Sequence, residues 1–287
     1  RTLSLYNTSY VYRIVVSASA HTITTKARHP KHLGADIGTT MVLHTWGSTM
    51  THHPHVHCIV PGGGISADKQ TWQACKTGYF LPVKVLSRLF RRLFVTGLRQ
   101  LCAQGRLQFF GELSGLSSPS RFDKWCTEQQ HREWVVYAKR PFAGPQAVLA
   151  YLSRYTHRVA IANSRLRQVN ETFVTFSFKD YRLKGRTTPS TMQLDTNEFI
   201  RRFMLHVLPS GFHRIRHYGL LASQTKLSLA RRLLDVPTPE IAATSESVAN
   251  EETVPFQCRK CHQPMIIMAI TMPIYLPRAP PKCEQSQ

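Results

Sequence analysis

Four histidines lie within six residues, in the run THHPHVHC that begins at Thr51. Apolar residues alternate with His55 and His57, and Pro-Gly-Gly-Gly follows, which predicts a β-strand that ends at the glycines. Side chains two positions apart in a strand lie on the same face, so these two imidazoles should project together. Neutral imidazoles are common ligands of divalent metals. The pattern therefore predicts a metal site, with a pair of exposed histidines beside a turn as the alternative.

Two classes of enzyme carry histidines in this arrangement. Histidine-triad nucleotide hydrolases have an H-x-H-x-H run, here His53, His55 and His57, in which the middle histidine is the nucleophile. HUH endonucleases have two histidines around a bulky apolar residue, and this pair holds a metal that polarises a scissile phosphate. Only the second class needs a tyrosine on a helix as nucleophile.

Two tyrosines stand where a helical nucleophile would be needed. Tyr151 and Tyr155 lie one turn apart in a helix that Gly-Pro should open at residue 145 and that should run to about residue 160. Arg154 and Arg158 share their flank of that helix. Nearby cations favour loss of the phenol proton, which turns a phenol into a nucleophile for phosphate and makes the arginines candidate DNA contacts. The alternative is a pair of half-buried core tyrosines with solvated arginines.

The charge of the chain indicates its partner. Its 287 residues hold 37 Lys and Arg against 16 Asp and Glu, a net charge of +21, and 42% are hydrophobic. That apolar content excludes a disordered polycation, and the excess of cations favours a polyanion, first of all nucleic acid. A basic protein without a specific partner is the alternative. No apolar run approaches the length of a membrane span, and single cysteines in apolar text suggest the reducing cytoplasm.

A second basic run, FHRIRHY, begins at Phe212 and follows a predicted helix that carries Arg201 and Arg202. In this run Arg214 and Arg216 alternate with rings that include Tyr218. Cations for the backbone and rings for stacked bases are typical of proteins that bind single-stranded nucleic acid. A solvated basic turn is the alternative.

The periodicity of apolar residues predicts an α+β fold, an antiparallel sheet that carries the histidine pair and has helices, including the tyrosine helix, packed on it. Strands are predicted at 41–46, 55–60, 134–139 and 173–179, and helices at 83–101, 145–160 and 197–207. Residues 1–235 hold 33 of the 37 Lys and Arg residues. A Pro-rich stretch without Lys or Arg predicts a linker at 236–255. The tail at 256–287 contains Cys258 and Cys261, half of a Zn²⁺ site.

Five ordered stretches resemble one family. They are HTWGSTMTHHPHVHCIVPGGGIS from His44, EWVVYAKRPFAGP from Glu133, AYLSRYTHRVAIANSRL from Ala150, FKDYR from Phe178 and EFIRRFMLHVLPSGFHRIRHYGLLA from Glu198. Over residues 27–235 the chain is similar to the two-tyrosine rolling-circle transposases of the insertion-sequence-91 family, which belong to the HUH endonucleases.

The resemblance implies that His55 and His57 bind Mg²⁺ or Mn²⁺, and that Tyr151 and Tyr155 are catalytic. It implies a cytoplasmic transposase that nicks and rejoins single-stranded DNA through 5′-phosphotyrosine intermediates. The family pattern places an amide ligand where Ser48 stands, so His44 or His53 is the candidate third ligand. A rolling-circle replication initiator and a catalytically dead DNA-binding remnant remain alternatives.

The N-terminal region departs from the family. Residues 1–26 resemble nothing in it and stay unassigned, as an aberrant start. The cysteine-rich zinc module that usually precedes the nuclease is not found in this sequence.

Overall fold

Helices and antiparallel strands alternate along the chain in the computed structural model. The structure describes residues 2–237 except 79, 140, 143, 157–158 and 181–188, and in the helix that bears the tyrosines the side chains of 154–156 are not described. The predicted linker and the tail with Cys258 and Cys261 therefore lie outside the described residues, as does Arg158. All the described residues belong to one unit, Arg1–Thr238.

The described chain contains seven α-helices and nine strands. The helices are α1 Thr2–Tyr6, α2 Thr8–Arg28, α3 Val83–Ala103, α4 Pro119–His131, α5 Pro145–Thr156, α6 Thr196–Met204 and α7 Gln224–Leu233. The strands are β1 Ala35–Asp36, β2 Gly38–Trp46, β3 His52–Ile59, β4 Gly63–Ser66, β5 Trp72–Ala74, β6 Leu166–Val169, β7 Phe173–Phe178, β8 Ser190–Asp195 and β9 Ile215–Gly219. Among the described helices, none combines the length and the apolar character of a membrane span.

The strands form three antiparallel sheets of three strands each, in the orders β3-β2-β9, β6-β7-β8 and β1-β4-β5. Helices pack on these sheets, so the predicted α+β class with an antiparallel sheet is confirmed. The sheet of β3, β2 and β9 carries the histidine run. It is called the histidine sheet below.

One face of the histidine sheet is the main core. Met41 and Leu43 of β2 are buried there, and Val56 of β3 packs beside them. Because side chains alternate along a strand, the histidines at even positions of β2 and odd positions of β3 lie on the other face. Because Met41 and Leu43 are buried on the core face and Val56 packs beside them, the histidines must lie on the opposite face of the sheet.

Helix α2 covers the core face, although the sequence pattern assigns no role to residues 1–26. Its apolar residues recur every three or four positions, and Tyr12, Val16 and Ala20 pack in the same core cluster as Met41. Helix α3 packs beside α2 at Gly97, where a Cβ would approach a methyl of Ile14 to 3.0 Å. A side chain at 97 would push these two helices apart.

Two predicted elements differ from the structure. Residues 134–139 pair with no strand in the described part of the chain; at the start of the stretch the carbonyl of Trp134 accepts from Ser87 Oγ of α3, and the carbonyl of Arg132 just before it accepts from Arg91. Helix α5 ends at Thr156 rather than near residue 160, and the buried Ala160 has a left-handed backbone with φ of 56°, which no helix can continue. The other predicted helices and strands are present with shifted ends.

Candidate active site

Three histidines from two neighbouring strands meet on the open face of the histidine sheet. His44 of β2 lies directly opposite His55 of β3, and His57 lies one pleat further along the same strand. One ring nitrogen from each of the three lies within 4.8 Å of the others. His44 is buried, and the other two are half-buried. We call these residues the histidine cluster.

A β-bulge decides which histidines enter the cluster. His44 pairs with His55, whereas Trp46 pairs with His52, so β3 has one residue more than β2 at His53 and Pro54. A bulge tolerates proline, which cannot donate to the ladder, and it re-aims the side chains on either side. His52 is buried and His53 is exposed. Of the two candidate third ligands, the structure therefore brings His44 into the cluster and leaves His53 outside it.

Hydrogen bonds orient the imidazoles of the cluster. Nδ1–H of His55 donates to the carbonyl oxygen of His53 at 2.7 Å. A carbonyl can only accept, so Nδ1 carries the proton and Nε2 of His55 keeps its lone pair. Such a bond from the far ring nitrogen is the usual way in which a metal-binding histidine is oriented.

Electrostatics keeps two of the three imidazoles uncharged. Burial first, and then the nearby His55 and Lys139, lower the pKa of His57 to about 4. Burial also lowers the pKa of His55. Both imidazoles are therefore uncharged near neutral pH, which is the form that binds a metal. Three ring nitrogens so close together fit the ligand set of a divalent transition-metal ion.

Helix α5 places a phenol beside the cluster. Tyr151 Oη lies 2.8 Å from Nδ1 of His57. The tyrosine ring is half-buried against Phe142, with ring centroids 5.1 Å apart, and Lys139 Nζ lies 5.9 Å from the centre of the same ring. Tyr155 lies one turn further along α5, and its side chain and that of Arg154 are outside the described part of the structure. The arrangement brings one predicted nucleophile into contact with one predicted ligand.

The arginines of α6 are already paired. Arg201 and Arg202 both donate to the carboxylate of Glu198, at 2.6 and 2.7 Å, and Arg202 also donates to the carbonyl of Thr49 at 3.3 Å. These hydrogen bonds lower the pKa of Glu198 to about 2. The two cations therefore share one negative charge, and Arg202 also holds the helix to the turn after β2.

The basic run after Pro209 forms the edge strand β9 rather than a turn. Arg214 stacks on Trp46, 5.4 Å from the ring centre, and burial lowers its pKa. Arg216 stacks on Phe212 at 4.6 Å. Arg216 and Tyr218 line an open groove of about 710 Å³. Of the predicted DNA contacts described, these two have the most direct access to a ligand in that groove.

Other residues hold the loop between β2 and β3 in place, and sequence reasoning overlooked two of them, His206 and Arg165. His206 is fully buried, bonded to Thr45 Oγ1 at 3.1 Å and to the carbonyl of Met50 at 2.9 Å. Ser48 Oγ donates to the carbonyl of Lys179 at 2.8 Å, and Arg165 donates to the carbonyl of Ser48. Ser48 thus joins the loop to the neighbouring sheet instead of the cluster. A lone histidine after a helix gives no sequence signal for such a role.

Comparisons with known proteins identify relatives of this chain. Residues 38–228 match a family model described as "Putative transposase" (Y2_Tnp). The chain is 49% identical over 275 residues to "Putative transposase y4qJ" of Sinorhizobium fredii, covering 92% of this chain and 69% of that protein. It is 24% identical over 250 residues to the "Transposase for insertion sequence element IS801" of Pseudomonas savastanoi pv. phaseolicola.

The second alignment covers 83% of this chain and 58% of that relative, so the chain spans less than two thirds of that transposase. No solved structure matches the chain. The family match spans most of the unit that contains the histidine cluster and Tyr151, including both strands and the helix that carry them. The chain therefore belongs to the insertion-sequence-91 family of transposases.

Proposed function

We propose that this chain nicks and rejoins single-stranded DNA by phosphotyrosine transesterification, as the chemical step of rolling-circle transposition. One observation carries the proposal: Tyr151 Oη lies 2.8 Å from a ring nitrogen of the histidine cluster. A nucleophile in contact with a candidate metal ligand is the arrangement that phosphoryl transfer at a metal requires.

The histidine cluster would hold a divalent cation, for which His44, His55 and His57 supply three ring nitrogens. When bound, such an ion offsets the negative charge that develops on the phosphate oxygens. An all-imidazole set favours Mn²⁺ over Mg²⁺, which prefers oxygen ligands. The protein positions the phenol: the contacts of Tyr151 with His57 and Phe142 leave its ring little freedom before the attack.

The chemistry conserves the phosphodiester. The phenol of Tyr151 loses its proton and its oxygen forms a bond to phosphorus, the bond from phosphorus to the 3′-oxygen breaks, and that oxygen takes up a proton and leaves as a 3′-hydroxyl. A 5′-phosphotyrosine results, and the reverse attack by a 3′-hydroxyl restores the strand without ATP. Tyr155, one helical turn away, would accept a second strand, so that donor and target strands can be exchanged in turn.

The substrate is single-stranded DNA, because the attacked phosphate must reach a phenol held against a sheet surface. A net charge of +21 supplies the attraction. Arg216 and Tyr218 in the groove beside β9 would contact backbone and bases. Such a transposase acts on DNA in the bacterial cytoplasm.

A covalent adduct tests the proposal. The substrate is the DNA that flanks the coding sequence, as a 3′-labelled single strand, since the 5′-phosphotyrosine keeps the 3′ part of a nicked strand. With Mn²⁺ we expect an SDS-resistant labelled band that Tyr151→Phe strongly reduces and that Tyr151→Phe combined with Tyr155→Phe abolishes. Tyr10→Phe, a partly exposed tyrosine on α2, is the matched control and should leave the band unchanged. A band that persists in the double variant refutes the assignment.

A further inference from the structure

The stretch 133–139 combines a fixed backbone with an exposed apolar face. Trp134 packs against Phe90 and Phe94 of α3, with ring centroids 5.6 and 5.1 Å away, and its indole donates to the carbonyl of Gln129. Val136 packs on the main core. The inward residues therefore hold the stretch firmly in position. We call it the 133–139 segment.

The alternate residues of the 133–139 segment face outward. Val135 is 95% exposed and Tyr137 is 78% exposed, the highest values among the large hydrophobic side chains of the described residues. Lys139, two positions further, is exposed as well. Burial that alternates in this way is typical of an extended chain with one face on a core and one face open. The segment pairs with no strand in the described part of the chain.

The outward face leads to the candidate nucleophile. Lys139 Nζ lies 5.9 Å from the ring centre of Tyr151, and the next described aromatic residue, Phe142, packs on the same ring. Three outward positions of an extended chain span about 13 Å at 3.3 Å per residue. A valine, a tyrosine and a lysine thus form a line that ends beside the phenol.

We infer that this face carries the unpaired bases of the DNA strand that runs up to Tyr151, with Tyr137 as the stacking surface and Lys139 on a neighbouring phosphate. The inference rests on the proposed function, which requires a single strand to pass close to Tyr151. The charges favour DNA over a protein partner: Arg132 and Lys139 flank the exposed Tyr137, and Glu133 is the single acid of the segment. Aromatic surfaces between cations bind unpaired bases of any sequence.

Binding of fluorescein-labelled oligo(dT), measured by anisotropy, tests the inference. We expect Tyr137→Ala to weaken binding about 5- to 150-fold, since stacking on one aromatic ring contributes about 1–3 kcal/mol per base. Tyr137→Trp should retain the affinity because it keeps a ring. Tyr10→Ala is the control, since Tyr10 is a partly exposed tyrosine on α2. Tyr137 is exposed, so its replacement leaves the packing of the core intact, and the melting temperature of each variant checks this.

Lys139→Gln supplies a second measurement. It should flatten the slope of log K against log salt by about 0.7, the value of one phosphate contact on a single strand. Wild-type affinity in Tyr137→Ala would overturn the inference. If Tyr137→Ala instead changed only the sedimentation of the protein alone, the surface would be an interface between copies, and the inference would again be wrong.

The adduct assay separates this inference from the proposed function. If the wild type forms an adduct and Tyr137→Ala binds oligo(dT) as tightly as the wild type, the base-stacking inference is wrong and the nuclease proposal stands. If affinity depends on Tyr137 but the wild type forms no adduct, the nuclease proposal is wrong and the base-stacking surface stands. The two ideas therefore fail independently.

Discussion

His44→Ala should remove the candidate third metal ligand, which this chain has in place of the amide that the family pattern carries where Ser48 stands. Its imidazole lies opposite His55 and joins the histidine cluster, whereas His53, the other candidate, is exposed beyond the bulge. We therefore expect His44→Ala to weaken binding of Mn²⁺ and His53→Ala to leave it unchanged. His53→Ala is a matched control, since the orienting contact to His55 comes from the backbone carbonyl of His53.

The expected shift of Tm on binding Mn²⁺ follows from the linkage between metal binding and folding. A ligand at 100 times its Kd stabilises the folded state by about 2.7 kcal/mol, which raises Tm by about 5–10 °C in a unit of this size. Even loss of a residue that only supports a ligand weakens metal affinity about 10- to 100-fold. A 100-fold loss at the same Mn²⁺ concentration leaves about 0.4 kcal/mol, or about 1–2 °C.

Thermal unfolding with and without Mn²⁺ measures this effect without any DNA substrate. Each variant is compared with its own metal-free Tm, because His44 is buried and its removal also changes the packing. A full metal-induced shift in His44→Ala would refute its role as a ligand. If His53→Ala loses the metal-induced shift of Tm and His44→Ala keeps it, then His53 is the third ligand and the position of the bulge is wrong.

Three further predictions concern metal removal, charge and pH. EDTA should abolish DNA cleavage and leave binding largely intact, since affinity comes from Arg and Lys; cleavage that survives EDTA argues against the metal. Arg216→Ala should lower the salt slope of single-strand binding by about 0.7, and Arg214→Ala should change it less because its guanidinium is half-buried on a tryptophan ring; a filter-binding titration at several salt concentrations measures both. The pKa of Glu198 is depressed by hydrogen bonds from Arg201 and Arg202, so its contribution to stability is present above its ordinary pKa and is lost as the pH falls toward about 2. Glu198→Gln should therefore flatten the acid limb of a Tm-against-pH curve, and an unchanged limb contradicts the ion pairs.

Helix α2 and the 133–139 segment show where sequence patterns fall short. The apolar residues of α2 have helical spacing, but Ser9 to Ala20 also reads as a plain apolar stretch, so only its burial against Met41 reveals a core helix. The sequence of residues 134–139 alternates as a strand would, and the structure keeps alternate exposure over residues 134–137. They form no ladder with the described strands, and the carbonyl of Trp134 accepts from Ser87 of α3 instead. Alternation reports which side is buried, and it does not report a hydrogen-bonded neighbour.

The sequence by itself determined that His55 and His57 share one face of a strand, since the two-residue period of a strand is local. It also determined that two tyrosines stand one turn apart on a helix, and that the chain is strongly basic. Only the tertiary structure decided that His44 completes the cluster and that Tyr151 contacts His57. The physical reason is that both contacts join residues far apart in the sequence, so that tertiary packing decides them. Cross-strand register, shifted by one bulge, selects the third histidine, and burial of the helices on the sheets sets how close α5 comes to β3.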